Sequence, residues 1–115
     1  MRMITLCSAS EILEGTARGF DPEGDGQDSI FVVRTKGALR AWRNACPHIN
    51  GAPMAWRKDG YLNAKATRIV CHAHGAEFLP DSGLCVQGPC AGNRLVAVSI
   101  EVSESGALRA RLDKT

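Results

Sequence analysis

Two short clusters of metal-ligating side chains constrain this 115-residue chain more than any other feature. The first is Cys46-Pro47-His48 and the second is Cys71-His72-Ala73-His74. Each offers one soft thiolate and one imidazole from a tight loop at the end of an expected strand. In the second cluster the Cys-x-x-His spacing selects His74, and the adjacent His72 faces away or packs locally. Two thiolates and two imidazoles suit either zinc or an iron–sulfur centre. Twenty-two residues, 49–70, separate the clusters. The fold must therefore carry two sequence-distant loops to one point.

The rest of the chain reads as short strands and turns. Met3-Ile4-Thr5-Leu6 is a strand, and Ser8 to Gly15 is a helical turn closed by its glycine. Phe20 to Asp28 is a loop by composition. Its spaced acids fail as a calcium loop, because Val32 stands at the twelfth position where a glutamate is required. Ile30-Phe31-Val32-Val33 is β-branched and aromatic, turns at Lys36-Gly37 and returns through Ala38 to Trp42. Arg68-Ile69-Val70 is a further strand. Glu77-Phe78-Leu79, Pro80-Asp81-Ser82-Gly83 and Leu84-Cys85-Val86 form strand, turn and strand. From Leu95 to Val102 the pattern alternates, then Ser103 to Gly106 turns the chain into Ala107 to Leu112. The string Gly-Ala-Leu-Arg-Ala occurs at 37–41 and 106–110, each time just after a turn. We read these copies as two similar hairpins. Twelve glycines and five prolines fit many turns. With almost no helical periodicity, the pattern predicts a small all-β sandwich or barrel in one domain, 1–115.

Charge and length exclude several classes. Fourteen Lys plus Arg against 12 Asp plus Glu leave +2, too little for binding driven by nucleic-acid phosphates. No apolar run has the length to cross a membrane. Met1 to Cys7 lacks the pattern of a secretory signal, so a cytoplasmic, reducing compartment is expected. There the five cysteines read first as metal ligands or thiols, not as a disulfide framework. Cys7 reads as a small apolar core residue. Cys85 and Cys90 read as thiols, although they could pair.

In context the two clusters resemble the Rieske [2Fe-2S] family. The matching text is Cys46-Pro47-His48, then Cys71-His72-Ala73-His74-Gly75-Ala76-Glu77-Phe78, then Asp81-Ser82-Gly83, then Gly88-Pro89. These are the family's two ligand loops and its third, proline-bearing loop, in order, within a pattern covering roughly residues 30 to 112. The resemblance implies an antiparallel β-sandwich with a small cluster-binding sub-domain, its loops at about 44–56 and 71–90. It implies that Cys46 and Cys71 bind one iron of a [2Fe-2S] cluster, and His48 and His74 the other. Two ferric ions, two sulfides and two thiolates sum to zero charge. An added electron therefore meets less repulsion than in an all-cysteine centre.

The chain departs from the pattern in three places. The interval between the clusters is a few residues longer than is common, and Trp56 to Tyr61 reads as an inserted turn. High-potential relatives join a cysteine from each ligand loop, where this chain has Gly51 and Ala73. Those relatives also place a serine and a tyrosine to donate hydrogen bonds to cluster sulfurs, where this chain has Ala76 and Phe78. Such bonds stabilise the reduced, more negative form. Without them the potential should lie toward the lower end of the range of about −150 to +300 mV.

The resemblance implies a ferredoxin, a one-electron carrier between a flavin-containing reductase and a terminal enzyme, typically an oxygenase. Alternatives are a small subunit of a nitrite-reductase-like complex and a non-redox zinc module. An oxygenase in its own right is excluded by counting: it needs a second iron held by two histidines and a carboxylate, and three histidines do not suffice. Pro47, Ile49, Pro53, Met54 and Pro89 would surround the histidines as an apolar tip that docks a redox partner or shields the centre.

Overall fold

A computed structural model of the chain describes residues 3–24, 26–45, 59–71, 75–88 and 91–112. Among them are strands β1 (Met3–Ser8), β2 (Thr16–Phe20), β3 (Ile30–Thr35), β4 (Ala38–Arg43), β5 (Ile69–Cys71), β6 (Ala76–Phe78), β7 (Cys85–Gln87), β8 (Ala97–Val98), β9 (Ile100–Val102) and β10 (Ala107–Arg111). One 3-10 turn, Ala9–Glu11, sits where the helical turn was expected, and Glu11 Oε2 accepts from Ser8 N–H at 2.9 Å. All pairing is antiparallel, in three sheets of order β1-β10-β9, β2-β3-β4-β8 and β5-β6-β7. No helix among the described residues is long and apolar enough to cross a membrane.

The four-stranded sheet is the middle layer. Ile30, Phe31, Val32 and Val33 are each 0% exposed, so β3 is covered on both faces. Phe31 and Val33 pack with Trp42, Tyr61, Ile69, Cys71, Phe78, Cys85 and Leu95 under the β5-β6-β7 sheet. Ile30 and Val32 pack with Ile12, Ala41, Val98, Leu108 and Ala110 under the β1-β10-β9 sheet. An uninterrupted apolar run is what a strand buried on both sides requires. The two Gly-Ala-Leu-Arg-Ala copies meet across this second core. Leu39 and Ala41 come from one, Leu108 and Ala110 from the other.

Local chemistry explains the turns. Lys36 and Gly37 both have positive φ, 52° and 77°, which suits a two-residue hairpin loop. Their backbone N–H groups donate to the two carboxylate oxygens of Glu14, each at 2.8 Å. In β1 the register slips between Thr5 and Cys7. That bulge lets adjacent Leu6 and Cys7 both pack on the second core, so Cys7 is half-buried as expected of a small apolar residue. Burial raises its thiol pKa.

Two expectations change. β2 falls between the expected turn and the expected loop and takes Phe20 from the latter; Gly19 and Arg18 weaken its strand signal, and among the described strands it is an edge paired with β3. The alternating run to Val102 is two strands, because the chain changes sheets at Ser99 and leaves Val96 and Val102 more than half exposed.

Candidate metal centre

Of the four expected ligands, Cys71 lies within the described residues. Cys46, His48 and His74 fall outside them, as do Pro47, Ile49, Pro53, Met54 and Pro89. Cys71 ends β5 and is 0% exposed. It pairs with Ala76, the first residue of β6, so the second motif begins where β5 ends and is followed directly by β6. Gly75 has φ 71° and donates its N–H to Cys71 O at 2.9 Å. A side chain would be strained there, which explains the glycine.

The chain then reaches the third loop. β6 turns through Pro80 to Gly83 into β7, with Gly83 N–H on Leu79 O at 2.8 Å. Beyond β7, Gly88 has φ 101°, and a Cβ on it would lie 2.8 Å from Ala76 Cα. The start of the third loop is thus pressed bare against the exit of the second ligand loop. The glycine of the Asp81-Ser82-Gly83 turn is equally tight. A Cβ there would lie 2.7 Å from the Trp42 ring. Trp42 is a packing residue, 5% exposed, one strand before the first motif.

Cys85 is buried on β7, where its thiol donates to Gln87 O at 3.3 Å. Its expected neighbour Cys90 lies outside the described residues. Ala76 and Phe78 are both 0% exposed. A fully buried cysteine at the end of β5, among the apolar side chains Ala76 and Phe78, fits the sulfur donor of an inorganic centre.

Sequence reasoning missed residues around the interval 46–58. Asp59 Oδ1 accepts from Gly19 N–H at 2.7 Å. Asn44 donates its side-chain N–H to Asp28 O at 2.8 Å and its backbone N–H to Ser29 O at 2.9 Å. Tyr61 is 2% exposed and stacks on Phe31, centroids 4.1 Å apart and 6° from parallel. Its phenol pKa is raised, first by burial and then by the charges of Asp28 and Asp59. Part of the segment read as an inserted turn is therefore core. The one signal for this was an aromatic residue beside a turn pair, Asp59-Gly60.

Among the described residues, three antiparallel sheets carry a buried cysteine at the end of β5, where the second motif begins. The chain belongs to the Rieske [2Fe-2S] domain family, whose model matches residues 2–104. The group such a domain carries is a [2Fe-2S] cluster, so the zinc reading of the same residues gives way to it. Solved structures share the fold. The ferredoxin of carbazole 1,9a-dioxygenase from Nocardioides aromaticivorans IC177 is 21% identical, with 96% of this chain and 97% of that one covered and a TM-score of 0.70. A ferredoxin of Sphingomonas yanoikuyae B1 is also 21% identical, over 97% of this chain and 100% of that one, with a TM-score of 0.73. A chain in the complex of reduced oxygenase and oxidised ferredoxin of carbazole 1,9a-dioxygenase is 23% identical, over 96% and 97%, with a TM-score of 0.71. No curated protein matches the chain.

Proposed function

We propose that the chain is a Rieske-type ferredoxin, a single domain that takes one electron from a reductase and delivers it to a terminal oxygenase. The observation that carries this reading is the family match over nearly the whole chain, joined to the two ligand motifs. Two of the similar structures are ferredoxins on their own, matched over nearly their full length. This supports a separate carrier over a subunit built into a larger reductase.

Cys46 and Cys71 hold one iron, and His48 and His74 the other, within loops 44–56 and 71–90. When bound, the cluster supplies reversible one-electron chemistry. The protein's own work is to place and enclose it. The β5–β6 pairing holds Cys71 as a buried cysteine at a strand end. Gly75 reverses the chain immediately after the second motif. Gly88 packs its bare backbone against Ala76, at the start of β6. The imidazoles of His48 and His74 would carry ring protons whose release depends on the redox state.

Iron and acid-labile sulfide analysis, with EPR of the dithionite-reduced protein, tests the reading. The expected result is two irons and two sulfides per chain, as the [2Fe-2S] formula requires. Cys46→Ser and His74→Ala should each abolish that signal, whereas His72→Ala should leave it intact. A Cys46→Ser protein with the full signal would remove Cys46 from the ligand set. Electron delivery is tested by reducing the protein with a flavin reductase and mixing it with a Rieske oxygenase under anaerobic conditions.

A further inference from the structure

The chain leaves the middle sheet after β4 and returns at Asp59, and both ends of that excursion are tied to the same patch. On the way out, Asn44 donates its side-chain N–H to Asp28 O at 2.8 Å and its backbone N–H to Ser29 O at 2.9 Å. On the way back, Asp59 Oδ1 accepts Gly19 N–H at 2.7 Å. Ser29 N–H in turn donates to Phe20 O at 2.9 Å, so the two anchor points are joined through the β2–β3 hairpin. The contact between Asp59 and Gly19 spans 40 residues of sequence.

Each part of this arrangement is specific. β2 is an edge strand, so the N–H of Gly19 points away from β3 and needs an acceptor. Asp59 supplies it from a left-handed backbone, φ 63°, a conformation that Asp and Asn tolerate better than other side chains. Gly19 is buried because its missing Cβ makes room. A Cβ there would collide with Asp28 Oδ2 and lie 2.9 Å from Tyr61 Oη. Tyr61, two residues beyond Asp59, stacks on Phe31 of β3 and accepts Val70 N–H at its carbonyl at 2.9 Å. Val70 is the residue before Cys71. The same short segment thus links the end of the excursion with the strand that carries the second motif.

We propose that Asp59 is a positioning residue for the metal centre. Its carboxylate fastens the returning chain to the β2 edge and, with Asn44 on the outgoing side, holds the ends of the segment bearing Cys46 and His48 in place beside β5. The inference rests on the proposed ligand set. Asp59 and Asn44 touch the backbone of the β2–β3 hairpin; they act on the centre through the chain they anchor.

The test is cluster release from the loaded protein, followed as bleaching of its visible absorption by an iron chelator. Asp59→Gly removes the acceptor but keeps the backbone conformation unstrained. It should bleach about ten-fold faster than the wild type, the factor expected for a charge-assisted hydrogen bond of about 1.4 kcal/mol. Asp59→Asn keeps an oxygen acceptor and the left-handed conformation, and should stay close to the wild-type rate. Asn44→Ala should accelerate release in the same sense. Val32→Ala, which loses comparable stability in urea unfolding but lies in the opposite core, should bleach at the wild-type rate. Unmoved bleaching in a coloured Asp59→Gly protein would overturn the proposal. So would a Val32→Ala protein that bleaches as fast as Asp59→Gly, since Asp59 would then act through the stability of the whole fold alone. A wild-type chain that takes up neither iron nor sulfide removes the ligand reading and the latch together.

Discussion

Ala76 stands where the resemblance puts a serine that donates a hydrogen bond to a cluster sulfur in high-potential relatives. It is fully buried, pairs across the hairpin with Cys71 and faces the bare backbone of Gly88. A serine there adds a hydroxyl donor at a site without water to compete. A hydrogen bond that favours the reduced form by about 1.5 kcal/mol raises a one-electron potential by about 60 mV. Ala76→Ser should therefore raise the midpoint by tens of millivolts in protein-film voltammetry; an unchanged or lowered midpoint would contradict this account. Tyr61 gives a prediction of a different kind. Its phenol pKa is raised in the folded state by burial and by Asp28 and Asp59. The folded chain keeps a proton that the unfolded chain releases above pH about 10. Stability is then intact below that pH and falls as pH rises beyond it, by at most about 1.4 kcal/mol per pH unit. Urea midpoints at pH 8 and pH 11 should show a steeper loss in the wild type than in Tyr61→Phe. The ligand motifs were readable at this scale because both pairs lie within four residues of sequence. Asp59, Asn44 and Gly19 were not, because their meaning comes from partners far along the chain.

Among the elements, the strands that could be read were those whose side chains face one core in strict alternation or two cores without break. Ile30 to Val33 and Ala107 to Leu112 are of these kinds, and both are strands. The turn at Pro80 to Gly83 was equally readable, and the structure gives it a second role. Gly83, at φ 72°, lets the β6–β7 turn settle on the Trp42 ring. Gly83→Ala brings both backbone strain and a collision with the aromatic ring, and should cost about 2–3 kcal/mol. Chemical denaturation followed by tryptophan fluorescence measures it; a loss below about 0.5 kcal/mol, the scale of an ordinary surface change, would show that the turn is not seated as described. β2 escaped the sequence because an edge strand needs only one apolar face and tolerates Arg18 and Gly19. The break at Ser99 escaped it because a change of sheet preserves the alternation of residue types while changing which core they face.

At the scale of the whole molecule, the middle sheet separates two cores among the described residues, and the candidate ligand Cys71 belongs to one of them. Cys71, Ala76, Phe78 and Cys85 belong to the core with Phe31 and Val33; Leu108, Ala110 and Ile12 belong to the core with Ile30 and Val32. Sequence patterning gave the all-β class but not this layering, since nothing local tells which of two opposite faces a residue will meet. The layering can be tested with two adjacent residues of one strand. Val32 and Val33 are the same side chain, both fully buried, pointing into opposite cores. Val32→Ala and Val33→Ala remove equal apolar volume, and each should cost about 2 kcal/mol in urea unfolding. Their effects on the centre should differ. Val33→Ala opens space beneath the β5-β6-β7 sheet, so it should speed chelator-driven bleaching and shift the reduction midpoint. Val32→Ala loosens the opposite layer and should leave both unchanged. If the two variants lost stability equally and also perturbed the centre equally, the sheet would not insulate the cluster compartment from the other core. Stability would then be the only route by which either core acts on electron transfer.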